Sequence, residues 1–171
     1  MTGSEIRQAV EMYVGRSIDA DIMLVAINEA TRKVGEMGLL YGELMISDTE
    51  AGKDYYLPND LLHVFAVHDE NGENYDNWNV IGDRIIFNDS GTYIVSARKL
   101  SKPMKSLDQV LDIHEAYHSA IVDYVRRFVM EAKSEDINYK TMRYDRFEAD
   151  VTNTFRFLRR KRQPRTIKVV R

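Results

Sequence analysis

Tyr55-Tyr56-Leu57-Pro58-Asn59-Asp60-Leu61-Leu62-His63-Val64-Phe65-Ala66-Val67 opens the stretch that decides the fold. Three turn signals follow it: Asp69-Glu70-Asn71-Gly72, Gly82-Asp83 and Asn88-Asp89-Ser90-Gly91. Between them lie short runs rich in β-branched and aromatic residues: Trp78-Asn79-Val80-Ile81, Arg84-Ile85-Ile86-Phe87 and Thr92-Tyr93-Ile94-Val95-Ser96. Alternating runs separated by such turns predict an antiparallel meander. A sheet this small cannot bury both faces alone, so the flanking helices are expected to cover it.

Outward from the sheet, helical periodicity dominates. Ile6, Ala9, Val10, Tyr13 and Val14 share a face and predict a helix over 4–14, with Ser4 as N-cap and Gly15 as stop. A second helix is expected over 19–37. Asp19 and Asp21 suit the positive end of its dipole, and Gly38 suits its end. Ile22, Val25, Ala26, Ala30, Val34 and Met37 make its expected core stripe. Glu43-Leu44-Met45-Ile46-Ser47 predicts a strand, with Tyr55-Tyr56-Leu57 pairing back against it. Pro58 cannot donate to a ladder and belongs at a strand edge or a turn. The β insertion thus spans about 43–97.

Beyond it, helices are expected over 113–132 and 137–161. Tyr117, Ala120, Ile121, Tyr124, Val125 and Phe128 form the inner face of the first; Tyr144, Phe147, Val151, Phe155 and Leu158 form that of the second. The short link between them makes an antiparallel hairpin. The fold class is α+β: a bundle of two N-terminal helices and a C-terminal hairpin, with an inserted antiparallel sheet. Length favours one domain over 1–161, followed by a basic arm over 162–171.

Charge is distributed unevenly. The chain has 24 basic and 27 acidic residues among 171. Residues 151–171 hold eight Lys/Arg and no acid, so the remainder carries a net −11. An acidic body with a basic tail points to an anionic partner: nucleic acid, an acidic protein surface, or another copy of the chain. No apolar run approaches the roughly 20 residues of a membrane span, and no signal peptide is expected. The absence of cysteine excludes disulfides and thiolate metal sites.

One motif looks catalytic. His114-Glu115-Ala116-Tyr117-His118 matches H-E-x-x-H, where histidines at i and i+4 share a zinc and the glutamate activates its water. The surroundings favour a helix start instead. Asp112 is the expected N-cap, with Glu115 at the third position of a capping box. Val122 and Val125 stand where the extended motif has glycine and a third histidine. Glu131 and Glu135 are the available third ligands, in no local motif. His63 and His68 read as surface or packing residues. No phosphate-binding glycine loop, G-x-S-x-G elbow or spaced carboxylate pair is present. The chain is therefore not expected to be an enzyme or to hold a cofactor or metal.

The order of elements resembles the head–tail adaptor (connector, or neck) proteins of tailed bacteriophages. The resemblance is carried by Tyr56, Leu57, Pro58, Asp60 and Leu61 at the sheet entry. It continues in Trp78, Gly82, Asp83, Ile85, Ser90, Gly91 and Tyr93 of the meander, in Tyr117, His118, Ala120 and Ile121, and in Tyr144. Ala97 departs from it, standing where an aromatic is expected. The resemblance implies a structural virion protein of the neck, made in the host cytoplasm. Its copies, commonly twelve, form a ring between the portal and the next tail or neck protein. The ring encloses the channel through which double-stranded DNA passes without specific binding. It also implies that a C-terminal arm docks on the portal: Arg159, Arg160, Lys161, Arg162, Arg165, Ile167, Lys168, Val169, Val170 and Arg171 here. A zinc hydrolase using His114, Glu115 and His118 is the alternative, and a nucleic-acid-binding module using the basic tail is a second. That tail has no aromatics after Phe157 for base stacking.

Overall fold

The computed structural model describes residues 1–131 and 137–162, with side chains described at 1–131 and 142–159. The element order is α1 (Gly3–Val14), α2 (Ala20–Glu36), β1 (Tyr41–Thr49), β2 (Asp54–Tyr56), β3 (Leu61–Asp69), β4 (Trp78–Ile81), β5 (Arg84–Phe87), β6 (Gly91–Lys99), α3 (His118–Glu131) and α4 (Ile137–Arg162). The class is α+β, with antiparallel sheets. Among the described residues no helix is long and apolar enough to cross a membrane. The chain divides into two compact units: Met1–Thr31 with Met104–Arg171, and Arg32–Pro103.

The first unit is helical. Thr2, not Ser4, caps α1: its hydroxyl accepts from the Glu5 N–H, and the Glu5 carboxylate accepts from the Thr2 N–H. This reciprocal pair satisfies two donors that a helix start otherwise leaves open. Gly15 closes the helix in the left-handed conformation, at φ 71°. The start of α1 lies against the segment that returns from the sheets. The Ser4 N–H donates to Leu107 O at 2.7 Å, and a Cβ on Gly3 would come within 3.0 Å of Leu107. That contact, with no αL requirement, is what needs a glycine there. Asn28 of α2 grips the same segment with both ends of its amide, donating to Met104 O and accepting from Met104 N–H.

The buried face of α2 is Met23, Ala26, Ile27, Ala30 and Val34. Ile22 and Val25, expected in the core, are 45% and 58% exposed. Two overlapping apolar stripes run along this helix, and periodicity alone cannot say which one packs. Helix α3 packs against α1 and α4. Ala120, Ile121, Tyr124 and Val125 are buried as expected; Val129 is buried while Phe128 is half-exposed. Phe147 and Val151 of α4 are buried, and Tyr144, Phe155 and Leu158 are half-buried.

The second unit corrects the meander. The expected three strands do not form one sheet: β4 and β5 pair with each other, but β6 crosses into a different sheet. Strand orders are β1-β6-β3 and β2-β5-β4. The segment Tyr55-Tyr56-Leu57 does not pair with β1; β2 pairs with β5, matching Tyr55 to Ile85, while β1 pairs with β6, matching Leu44 to Val95. Within this unit the two sheets also pack on each other. One cluster joins the two sheets: Val64, Val67, Tyr93, Val95 and Ala97 from one, Ile85 and Phe87 from the other. Phe87 and Tyr93 stack with centroids 4.4 Å apart and planes 12° apart. Each sheet thus buries its apolar face against the other, which supplies a core from strands alone. Ala97, where an aromatic was expected, is itself fully buried in that core.

Candidate interaction surfaces

The His114–His118 stretch folds differently from a zinc-binding helix. His114, not Asp112, is the cap: its Nδ1 accepts from the Ala116 N–H at 3.2 Å. A single 3₁₀ turn, Glu115–Tyr117, follows, and α3 begins only at His118. The helix expected from 113 therefore starts five residues later, after a 3₁₀ turn whose first open N–H is satisfied by the His114 imidazole. The two imidazoles are not on successive turns of one α-helix, and the His114 nitrogen nearest the chain is already engaged. His118 Nε2 is buried without a hydrogen-bond partner among the described residues. Burial, helped by the Met1 ammonium, pushes its pKa down; the Ile113 backbone and Glu115 oppose that shift. Glu131, named above as a third ligand, instead pairs with Arg143 at 2.8 Å. Among the described residues, no group of three His, Asp or Glu is placed to hold a metal ion.

Arg143 is the residue that sequence reasoning missed. It lies on α4 with its side chain only 4% exposed. Its guanidinium sits about 5 Å from the ring centroids of Tyr124, Phe128 and Tyr144. Burial opposes its charge, but hydrogen bonding to Tyr144 and the fields of Tyr124 and Glu131 outweigh that and raise its pKa. Tyr144 in turn donates to Glu29 of α2. Three helices of the unit therefore meet through one cation, two carboxylates and three rings. The signal was present: Arg143, Phe147 and Val151 recur every four residues, so an arginine occupies a position in an apolar stripe. This network fixes the register of α4, the helix that carries the basic residues.

Along α4, Arg156 and Arg159 are exposed. Arg160, Lys161 and Arg162 fall in its last turn, where the helix dipole favours cations. Arg165, Ile167, Lys168, Val169, Val170 and Arg171 lie outside the described residues.

The β unit has four edge strands, β1 and β3 of one sheet and β2 and β4 of the other. Half of the outer edge of β3 is covered, because Tyr75 N–H donates to Val67 O and Asp69 N–H to Glu73 O. The other half, residues 61–64, instead borders a cleft of about 600 Å³ whose opposite wall is β4, with Trp78 and Val80. Asp83 stands at its rim. The Asp69 carboxylate holds the turn at the covered end. It accepts from the N–H groups of Glu73 and Asn71, which keep its pKa below the usual carboxylate range. Arg84 ties β5 to β2, pairing with Asp54 and lying over the Tyr56 ring at 4.4 Å. The outer side of the β1-β6-β3 sheet leaves Tyr41, Met45 and Phe65 about half exposed or more, with Tyr41 and Phe65 in edge contact.

No protein-family model matches the chain, and no curated protein matches it.

Proposed function

We propose that this chain is a structural assembly protein, a head–tail adaptor of a tailed bacteriophage. Its copies form a ring that joins the portal to the next tail or neck protein and encloses the DNA channel. The observation that carries the reading is the order of its parts. Two helices lead into an inserted β unit, two more lead out, and a basic segment follows. That is the layout the resemblance implies. The distribution of charge supports it as well. The β unit, residues 32–103, carries twelve acidic and seven basic residues, whereas α4 ends in a run of cations. A ring wall with acidic surface passes DNA without holding it, since cationic walls would bind phosphates. In this reading the basic segment from Arg159 docks on the portal.

Negative-stain electron microscopy of the purified protein, alone and mixed with a portal ring, tests this. Closed rings with a central hole, alone or seated on the portal, are the expected result. Monomers that stay dispersed with portal present would overturn the adaptor reading. Stoichiometric zinc in protein purified without chelators, lost in His118→Ala, would move the assignment to a hydrolase. Salt-sensitive DNA binding lost on truncation at 162 would move it to a nucleic-acid module.

A further inference from the structure

We infer that the cleft between β3 and β4 is an acceptor for an added strand, and that its occupant is residues 163–171 of a second copy of the chain. The inference rests on reading the basic segment as a docking element.

The cleft is the place where the two sheets fail to close on each other. At one end, residues 73–75 bridge the gap by hydrogen bonding to β3. At the other end, residues 61–64 of β3 face Trp78 and Val80 of β4 across about 600 Å³. Both β3 and β4 are edge strands of their sheets. The Leu61 N–H already donates to Pro58 O, and β3 breaks register with β6 at Leu61/His63 and again at Val64/Ala66, so the short edge over 62–64 is the template offered to another strand. Proteins that bind by strand addition take affinity from those backbone groups and specificity from pockets for alternate side chains.

Three features select the occupant. Thr166-Ile167-Lys168-Val169-Val170 is β-prone, and a period of two puts Ile167 and Val169 on one side, with Thr166, Lys168 and Val170 on the other. The cleft has matching character: Leu62, Trp78 and Val80 give it apolar surface, and Asp83 lines it with a carboxylate. Charge is complementary over a longer range, because the β unit is net acidic while residues 163–171 carry three cations and no acid. In an assembly of identical copies such an exchange is heterologous and propagates around a closed ring. The same segment then has two acceptors: the neighbouring copy, and the portal when it is present.

The test uses a fluorescein-labelled peptide of residues 163–171, titrated by anisotropy against the chain truncated after 162. Saturable binding is expected. It should weaken at least tenfold in Leu62→Lys and in Asp83→Lys, both exposed positions, with circular dichroism showing an unchanged fold. A peptide N-methylated at Val169 keeps its charge and side chains but cannot complete a ladder, and it should also lose at least tenfold. Absence of binding at millimolar peptide would overturn the inference. So would equal binding of a scrambled peptide or of the N-methylated one, since that would mean charge attraction without strand pairing. Ring formation seen by microscopy reads the adaptor assignment separately, so rings without peptide binding would remove this inference alone.

Discussion

Arg143 offers the sharpest test of the helical unit. Its guanidinium is 4% exposed and its partner Glu131 is 11% exposed, with 2.8 Å between them. Substituting Arg143→Met keeps much of the volume among Tyr124, Phe128 and Tyr144 but takes the guanidinium away from the Glu131 carboxylate. Breaking a buried pair from one side costs about 3–5 kcal/mol, since the remaining charge loses its compensation. For a unit near 100 residues that lowers the melting temperature by on the order of 15 °C. Adding Glu131→Leu removes the carboxylate as well. The double variant should recover most of the loss, to within about 1 kcal/mol of the starting protein, because paired buried ions are often neutral against well-packed apolar replacements. Urea unfolding followed by far-UV circular dichroism, which is dominated by the helices, gives all four corners of the cycle. A single variant within about 0.5 kcal/mol of the parent would refute the reasoning. It would mean that solvent or another group, rather than the Arg143 guanidinium, satisfies the Glu131 carboxylate.

Three further outcomes follow from the geometry. Phe87→Ala removes the ring stacked on Tyr93 at the centre of the β unit and should cost about 3–5 kcal/mol. Trp78, the single tryptophan and a neighbour of that core, reports the loss by fluorescence, and an unshifted transition would mean that the two sheets do not share one core. Thr2→Ala deletes the hydroxyl that caps α1 and should cost about 0.5–2 kcal/mol by chemical denaturation, with Thr2→Ser restoring it. Asp69→Asn tests the turn at the covered end of β3. Its carboxyl pKa is depressed in the folded state, so its contribution is present above the ordinary carboxylate range and lost as pH falls through the folded value. Melting curves of parent and variant should therefore differ at neutral pH and converge in acid; a constant gap down to pH 2 would count against the N–H contacts as the cause.

Much of this fold was legible in the residues. The helix over 137–162 was placed nearly to the residue, because its apolar positions recur at three and four and Pro164 stands beyond it. The strands are legible because each alternates between turn residues, and the Gly82-Asp83 turn joins β4 to β5. Local signals also reached the start of α3, but misjudged which side chain does the capping. Asp112 is the better N-cap by propensity, yet His114 caps the turn, which delays the α-helix to His118.

Near neighbours in the chain dictate the set of elements and the sign of charge along it, since periodicity, turn chemistry and composition are local properties. Tertiary structure alone decided three things. It sent β6 past β5 to lie between β1 and β3, pairing it with β1 residues some fifty positions earlier, which no local pattern encodes. It chose Met23 and Ile27 over Ile22 and Val25 as the face of α2 that packs, where both stripes have helical spacing. And it enclosed Arg143, because a cation is tolerated in an interior only where rings and a carboxylate from other helices converge on it. Each depends on groups brought together from distant parts of the chain, and their free energies are set by burial in the folded unit rather than by neighbouring residues.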